Sequence, residues 1–149
     1  MSKYTSKLIT ALKTALINLA LTINGRTISK VYYGIRDGGK IADNLPLIEF
    51  DILRVGFNPM TISSDETDID FMVNVWIHGS KNGDNFQLCL DALDEIYSEI
   101  FRKNTAFLGY GADKNDFRRT VDPEPLFSSF CVGASMTVSM RGSVSNEIE

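Results

Sequence analysis

The stretch from Asp68 to Gly79 reads Asp-Ile-Asp-Phe-Met-Val-Asn-Val-Trp-Ile-His-Gly. Its period-two alternation puts Ile69, Phe71, Val73, Val75 and Ile77 on one face of a strand. Asp68, Asp70, Met72, Asn74, Trp76 and His78 fall on the other. The first face needs a core. The second carries Met72 and Trp76, which water does not favour, beside two aspartates, which a sealed interior does not favour. Partial cover is therefore expected, from the 104–127 segment of the same chain or from a second subunit.

With 149 residues, 44% of them hydrophobic, the chain can fill one core but not two, so one domain is expected. The formal charge is -4, from 15 basic and 19 acidic residues, which leaves no positive excess to neutralise a phosphate backbone and disfavours tight nucleic-acid binding. Cys89 and Cys131 lie in apolar-patterned segments and are too few for a disulfide framework or a zinc set, which fits a reducing cytoplasm. Lys3 and Lys7 ahead of the apolar run 15–23 resemble a secretion signal only superficially. Lys13 and Asn18 interrupt the pattern, and no small-residue cleavage pair follows. No segment is long enough to span a bilayer.

Leu8, Leu12, Ala15, Leu16 and Leu19 recur at three- and four-residue steps and predict an amphipathic helix closing near Asn24-Gly25. A short strand follows at 31–34, then turn chemistry at Asp37-Gly38-Gly39. A second strand runs from Leu47 to Val55, with Ile48, Phe50 and Ile52 alternating against Glu49 and Asp51, and Gly56-Phe57-Asn58-Pro59 is expected to break it. A long hairpin through the acidic 63–67 segment leads into the alternating strand. Beyond Gly79, Asp84 or Asn85 is expected to cap a helix with apolar positions Phe86, Cys89, Leu90, Leu93, Ile96, Tyr97, Ile100 and Phe101. Asp91, Asp94, Glu95 and Glu99 project outward from it. Asp116 to Val121 can add a strand.

The last strand is expected from about Ser129 to Arg141, with Phe130, Val132, Ala134, Met136, Val138 and Met140 on its core face. Ser129, Cys131, Gly133, Ser135, Thr137, Ser139 and Arg141 lie on the other, and the tail 143–149 is expected to fray. The order α-β-β-β-α-β-β predicts an α+β single domain: an antiparallel, possibly mixed, sheet with two helices packed on one face.

Gly34-Ile35-Arg36-Asp37-Gly38-Gly39-Lys40 has the spacing of a phosphate-binding loop up to its lysine. Position 41 is isoleucine, so the magnesium-binding hydroxyl is missing, and a glycine-rich turn is the reading. Asp65, Glu66, Asp68 and Asp70 form the densest acidic cluster. Without a calcium-loop glycine or a partnering histidine, a solvated arm or subunit contact outweighs a cation site. His78 is the only histidine and has no nominated nucleophile or orienting acid. No catalytic, cofactor-binding or metal-binding residue is nominated. Met72, Trp76 and His78 are the candidates for a subunit interface.

The helix at Leu8–Leu19, the run Pro46-Leu-Ile-Glu-Phe-Asp-Ile-Leu, the Asp68–Gly79 strand with its Gly-Ser-Lys-Asn-Gly-Asp turn, the Phe86–Phe101 helix and the Phe130–Met140 strand together resemble the tail terminator, or neck terminator, proteins of long-tailed bacteriophages. The resemblance covers nearly the whole chain and rests on element order, size and texture. It implies a non-catalytic, cofactor-free virion assembly protein: a ring, hexameric in that family, that closes the finished tail tube and joins it to the head or neck at the tail–neck junction, assembled in the host cytoplasm. The implied partners are further copies of the chain, the tail-tube protein and a neck or head-completion protein, with DNA passing through without specific binding. Glu49, Asp51, Asp68, Asp70, Ser135, Thr137 and Ser139 are then expected at the lumen or between subunits, and loops near 36–45, 57–67 and 104–125 at the docking surfaces. Another head–tail connector, head-closure or tail-tube subunit is the nearer alternative. A small metal- or nucleotide-dependent enzyme using the acidic cluster and the 34–40 turn is the remoter one.

Overall fold

Leu8, Leu12 and Leu16 are spaced by four residues, and in the computed structural model they form the fully buried line of α1 (Tyr4–Leu19). The structure describes residues 4–34, 45–59, 64–80, 82–102, 116–128 and 130–145. For residues 4, 59, 64–66, 116 and 142–145 it describes the backbone alone. The helix stops at Leu19, where Ala20 takes a positive φ of 50° and its N–H bonds back to Ile17 O at 3.1 Å. Asn24-Gly25, expected as the helix end, is instead the turn between β1 (Thr22–Ile23) and β2 (Arg26–Thr27). Both residues have positive φ, 53° and 75°, as a tight two-residue hairpin requires. Leu21, Ile23 and Ile28 tuck under this small ribbon into the core.

Three further strands start the main sheet. β3 (Lys30–Tyr33) runs parallel to the start of β4 (Leu47–Pro59), which makes the sheet mixed. β4 returns antiparallel as β5 (Ser64–His78). The register shifts between Ile52 and Arg54, leaving Leu53 as the extra residue of a β-bulge. That bulge changes which side chains face inward. Ile48, Phe50 and Ile52 point to the core before it, and without it Arg54 would follow them. With it, Val55 opposes Ile69 and Arg54 turns to the reverse face. Asp51 Oδ1 accepts the Ile52 N–H at 2.9 Å beside the bulge. The strand therefore continues through Gly56-Phe57-Asn58-Pro59 rather than ending there.

α2 (Gly83–Ile96) is capped by Asn82, earlier than expected, with its side-chain oxygen accepting the Asn85 N–H at 2.9 Å. A wider, π-helical turn (Tyr97–Arg102) continues it and brings Ile100 and Phe101 into the core. Phe101 meets Phe71 and Phe117 with ring centroids 5.8 Å away in each case. β6 (Asp116–Val121) and β7 (Leu126–Ser128) then pair one after the other along the same edge of β8 (Cys131–Ser145). The main sheet runs β3-β4-β5-β8-β6, with β7 beside β8.

Both helices lie on one side of this sheet. Leu8, Leu12 and Leu16 of α1 and Cys89, Leu93 and Ile96 of α2 share one buried cluster with Phe50, Phe71, Val73, Val75, Val132, Val138 and Met140. The fold is α+β, as the order of periodicities predicts. Two boundaries differ at its end. Phe130, expected on the core face, sits in the turn before β8 with a φ of 64° and 72% exposure, its carbonyl accepting from Gly79 N–H. Residues 143–145, expected to fray, pair with 64–66 of β5. The expected loops at 36–45 and 104–125 fall largely on residues 35–44 and 103–115, outside the described residues. Residues 57–59 and 64–67 of the third expected loop are strand.

Two measurements test this packing. Leu53→Ser, at an exposed bulge position, is expected to change stability by less than ~0.5 kcal/mol, and deleting Leu53 leaves Ile52, Arg54 and Val55 in regular alternation opposite Phe71, Asp70 and Ile69, so it should cost less than ~1 kcal/mol, whereas deleting Met72 from the unbroken β5 ladder should flip one side of that strand and cost more than ~2 kcal/mol in urea unfolding. Equal effects of the two deletions would remove the bulge from the account. Burial pushes the Cys89 thiol up to about 12. An unfolded thiol releases its proton near ~8.5, so across that window the folded state binds more protons and stability falls as pH rises. Unfolding at about pH 8 and about pH 10.5 should show a loss that is smaller in Cys89→Ala.

Candidate functional site

The side of the sheet facing away from the helices divides into two halves, each built by cross-strand rows that the register defines. In one row Leu47, Trp76, Gly133 and Leu126 lie across four strands. A Cβ at position 133 would sit 2.7 Å from Val75 O and 2.9 Å from Trp76 Cδ2, so the indole packs where only glycine leaves room. Leu47, Trp76 and Cys131 form a second buried cluster, against which Tyr32, Leu45 and Leu126 pack. The next row runs Tyr32, Glu49, Asn74 and Ser135. Glu49 is fully buried, and its Oε1 accepts both Asn74 Nδ2 at 2.8 Å and Trp76 Nε1 at 2.9 Å. Asn74 Oδ1, also buried, has no donor, so the amide is held through its nitrogen.

This half corrects three site expectations. Trp76, expected at a subunit interface, is buried within the single chain beneath Leu126 and Leu45. Glu49 and Ser135, expected at a lumen or between subunits, are buried too, Glu49 as the acceptor that satisfies two buried donors. Pro123 and Pro125 help to explain the cover. They interrupt the edge between β6 and β7, and Asp122 there bonds Ser135 O through its N–H at 3.0 Å and accepts the Glu124 N–H.

The second half is open. Its rows are Asp51, Met72, Thr137 and Thr120, then Arg54, Asp70, Ser139 and Arg118, then Gly56, Asp68, Arg141 and Asp116. Asp51, Met72, Thr137 and Ser139 are half-buried, while Arg54, Arg118 and Arg141 are exposed. Arg54 bridges both aspartates, its Nη2 at 3.0 Å from Asp68 and its Nε at 3.2 Å from Asp70. Asp68 above all, with Asp70, raises the pKa of that guanidinium. The pair weighed as a cation site is thus already engaged by an arginine. Among the described residues no group of three His, Cys, Asp or Glu is placed to hold a metal ion. A hollow of about 260 Å³ opens here, lined by Arg54, Asp68, Asp70, Arg118, Ser139 and Arg141.

Arg54 and Arg118 were the residues missed from sequence, whereas Arg141 lies on the reverse face as its period-two position predicts. Arg54 shares parity with the core-facing Ile52 until the bulge is counted, and Arg118 lies in a segment without strong alternation. His78 is exposed at the end of β5, well away from this hollow, in a cleft of about 700 Å³ with Ile23, Asn24, Arg26, Leu45 and Pro46. Of the 34–40 turn only Gly34 is described, with a φ of 97° and its N–H bonded to Phe50 O at 2.8 Å; residues 35–40 lie outside the described residues.

No protein-family model and no curated protein matches the chain. The buried cluster generates its own test. Glu49→Ala strands the Asn74 and Trp76 donors and is expected to cost ~2–4 kcal/mol, while Glu49→Gln, which keeps an acceptor oxygen, should cost less than half of that. Indistinguishable urea midpoints for the two variants would show that the hydrogen bonds do not hold this half together.

Proposed function

We propose that the chain is a structural assembly protein that forms a ring from copies of itself, acting without catalysis as a phage tail terminator. In this reading it closes the completed tail tube and joins it to the neck or head at the tail–neck junction. One observation carries the proposal. Among the described residues β3 pairs with β4 only from Leu47 to Phe50, so β4 runs on past β3 at the sheet's margin, with Leu53 52% exposed there. A strand at a sheet's margin is a template for pairing with another chain, and here the bulge at Leu53 and Pro59 limit that pairing to part of its length.

The opposite margin fits the same use. Phe127 and Phe130 are 49% and 72% exposed near the β7–β8 end, so two apolar margins lie on opposite edges of one sheet. Copies joined edge to edge through unlike margins make heterologous contacts, which close into a ring when the rotation permits. The weakly acidic chain suits a passage that DNA traverses without being held. No helix among the described residues is long and apolar enough to cross a membrane. Asp51, Asp68, Asp70, Thr137 and Ser139 remain candidates for lumen or inter-subunit surface, and Met72 and His78 for contacts with a neighbour. Tail-tube and neck proteins are the proposed partners.

Size-exclusion chromatography with light scattering is the direct test. A closed oligomer of fixed stoichiometry, or association that rises with concentration, is expected. A monomer at every concentration, with a melting temperature raised by magnesium nucleotide, would replace this reading with the enzyme alternative.

A further inference from the structure

We propose that the two margins of the main sheet fit together between neighbouring copies, with β3 seated in the break between β6 and β7 and Phe127 seated in the cleft beside Pro46 and His78. This inference rests on the ring reading and names the edge-to-edge contact that builds the ring. The register carries it. β6 lies level with Phe50–Gly56 of β4, through Val121, Met136, Val73 and Phe50 at one end and Asp116, Arg141, Asp68 and Gly56 at the other. β7 begins level with Leu47, through Leu126, Gly133 and Trp76, and runs on away from it. Between β6 and β7, residues 122–125 interrupt the edge at the level where β3 adds a strand to the other margin, from Lys30 opposite Leu47 to Tyr33 opposite Phe50.

The two outlines are complementary: among the described residues each margin carries an extra strand where the other lacks one. Copies set side by side in one orientation place β6 beside the part of β4 that β3 leaves, and β7 beside the cleft of about 700 Å³. Sidedness agrees. Phe127 stands opposite Val132, which stands opposite Ile77, so all three belong to the helix-bearing side of the sheet, and Ile77 is also a wall of the cleft. The row that ends at Phe127, 49% exposed, thus reaches Pro46 and Ile77 when it is extended into the next copy.

Charge and symmetry select a second copy as the occupant. Each copy carries a net charge of -4, so copies repel at a distance and a stable contact sets opposite charges against each other locally. Arg26 and Lys30 are exposed on the β3 side, while Asp122 and Glu124 are exposed in the break that β3 would enter. Arg26 also lines the cleft, where a guanidinium is placed to lie over an incoming aromatic ring. Because unlike margins meet at matching levels, the contact is heterologous and passes from copy to copy by rotation.

Cysteine pairing in the full-length chain tests the fit. Within one chain Lys30 and Glu124 are separated by four strand spacings, ~19 Å, well beyond the ~7 Å between Cα atoms that a disulfide can bridge. Lys30→Cys with Glu124→Cys should therefore give a ladder of disulfide-linked multimers on mild oxidation, and each single variant none. Phe127→Asp should weaken self-association at least ~10-fold by light scattering. Circular dichroism checks folding, and Ser29→Cys replaces Lys30→Cys if that variant unfolds. Assembly that gives no cross-link, or that Phe127→Asp leaves unchanged, would overturn the fit, keep the ring, and assign the cleft to another occupant, residues 35–44 of the same chain first. Linked dimers from either single variant would show like margins meeting and overturn it too. A wild-type chain that stays monomeric would remove the fit and the ring reading together.

Discussion

The antiparallel ladder between β5 and β8 extends without a register break from His78 opposite Cys131 to Ser64 opposite Ser145. Every other feature is hung on it. Its core-facing side supplies Phe71, Val73, Val75, Val132, Ala134, Met136 and Val138, against which both helices close. A slip of β8 by one residue would carry Val132, Ala134, Met136 and Val138 to the reverse face and bring Arg141 inward, a change the burial of charge forbids. Pairing, sidedness and helix placement thus stand or fall together.

This explains which parts were readable from sequence. A period of two over Ile69 to Ile77 and over Val132 to Met140, and a helical period over Leu8 to Leu19 and Phe86 to Phe101, state sidedness directly, and the α+β arrangement follows. What escaped were places where the period breaks for a structural reason. The bulge at Leu53 inverts parity within β4, so the segment after it looked like a strand end. Asn24-Gly25 carries a hairpin signal that also resembles a helix stop. The parallel pairing of β3 with β4 depends on a crossover that no local pattern records.

The reverse face shows the same division for the candidate site. Its mixture of Trp76 and Met72 with Asp68 and Asp70 was legible as partial cover, and the cover is unequal along the strands. Glu49, Asn74 and Trp76 are sealed by the chain's own Leu45, Tyr32 and Leu126, while Arg54, Arg118, Ser139 and Arg141 are left open. Sequence distance hides this, because Glu49 meets Trp76 and Arg54 meets Asp68 only across the sheet. The polar residues with a buried job and those with an exposed one alternate identically along the chain, and only the register tells them apart.

The packing of the single indole against Gly133 has a practical corollary. Tryptophan emission in this protein reports on the small reverse-face cluster, not on the large core beneath the helices. Spectroscopic signals from the backbone and from the indole therefore watch different layers. Detachment of the β7 strap would change the colour of the light while leaving the sheet signal intact.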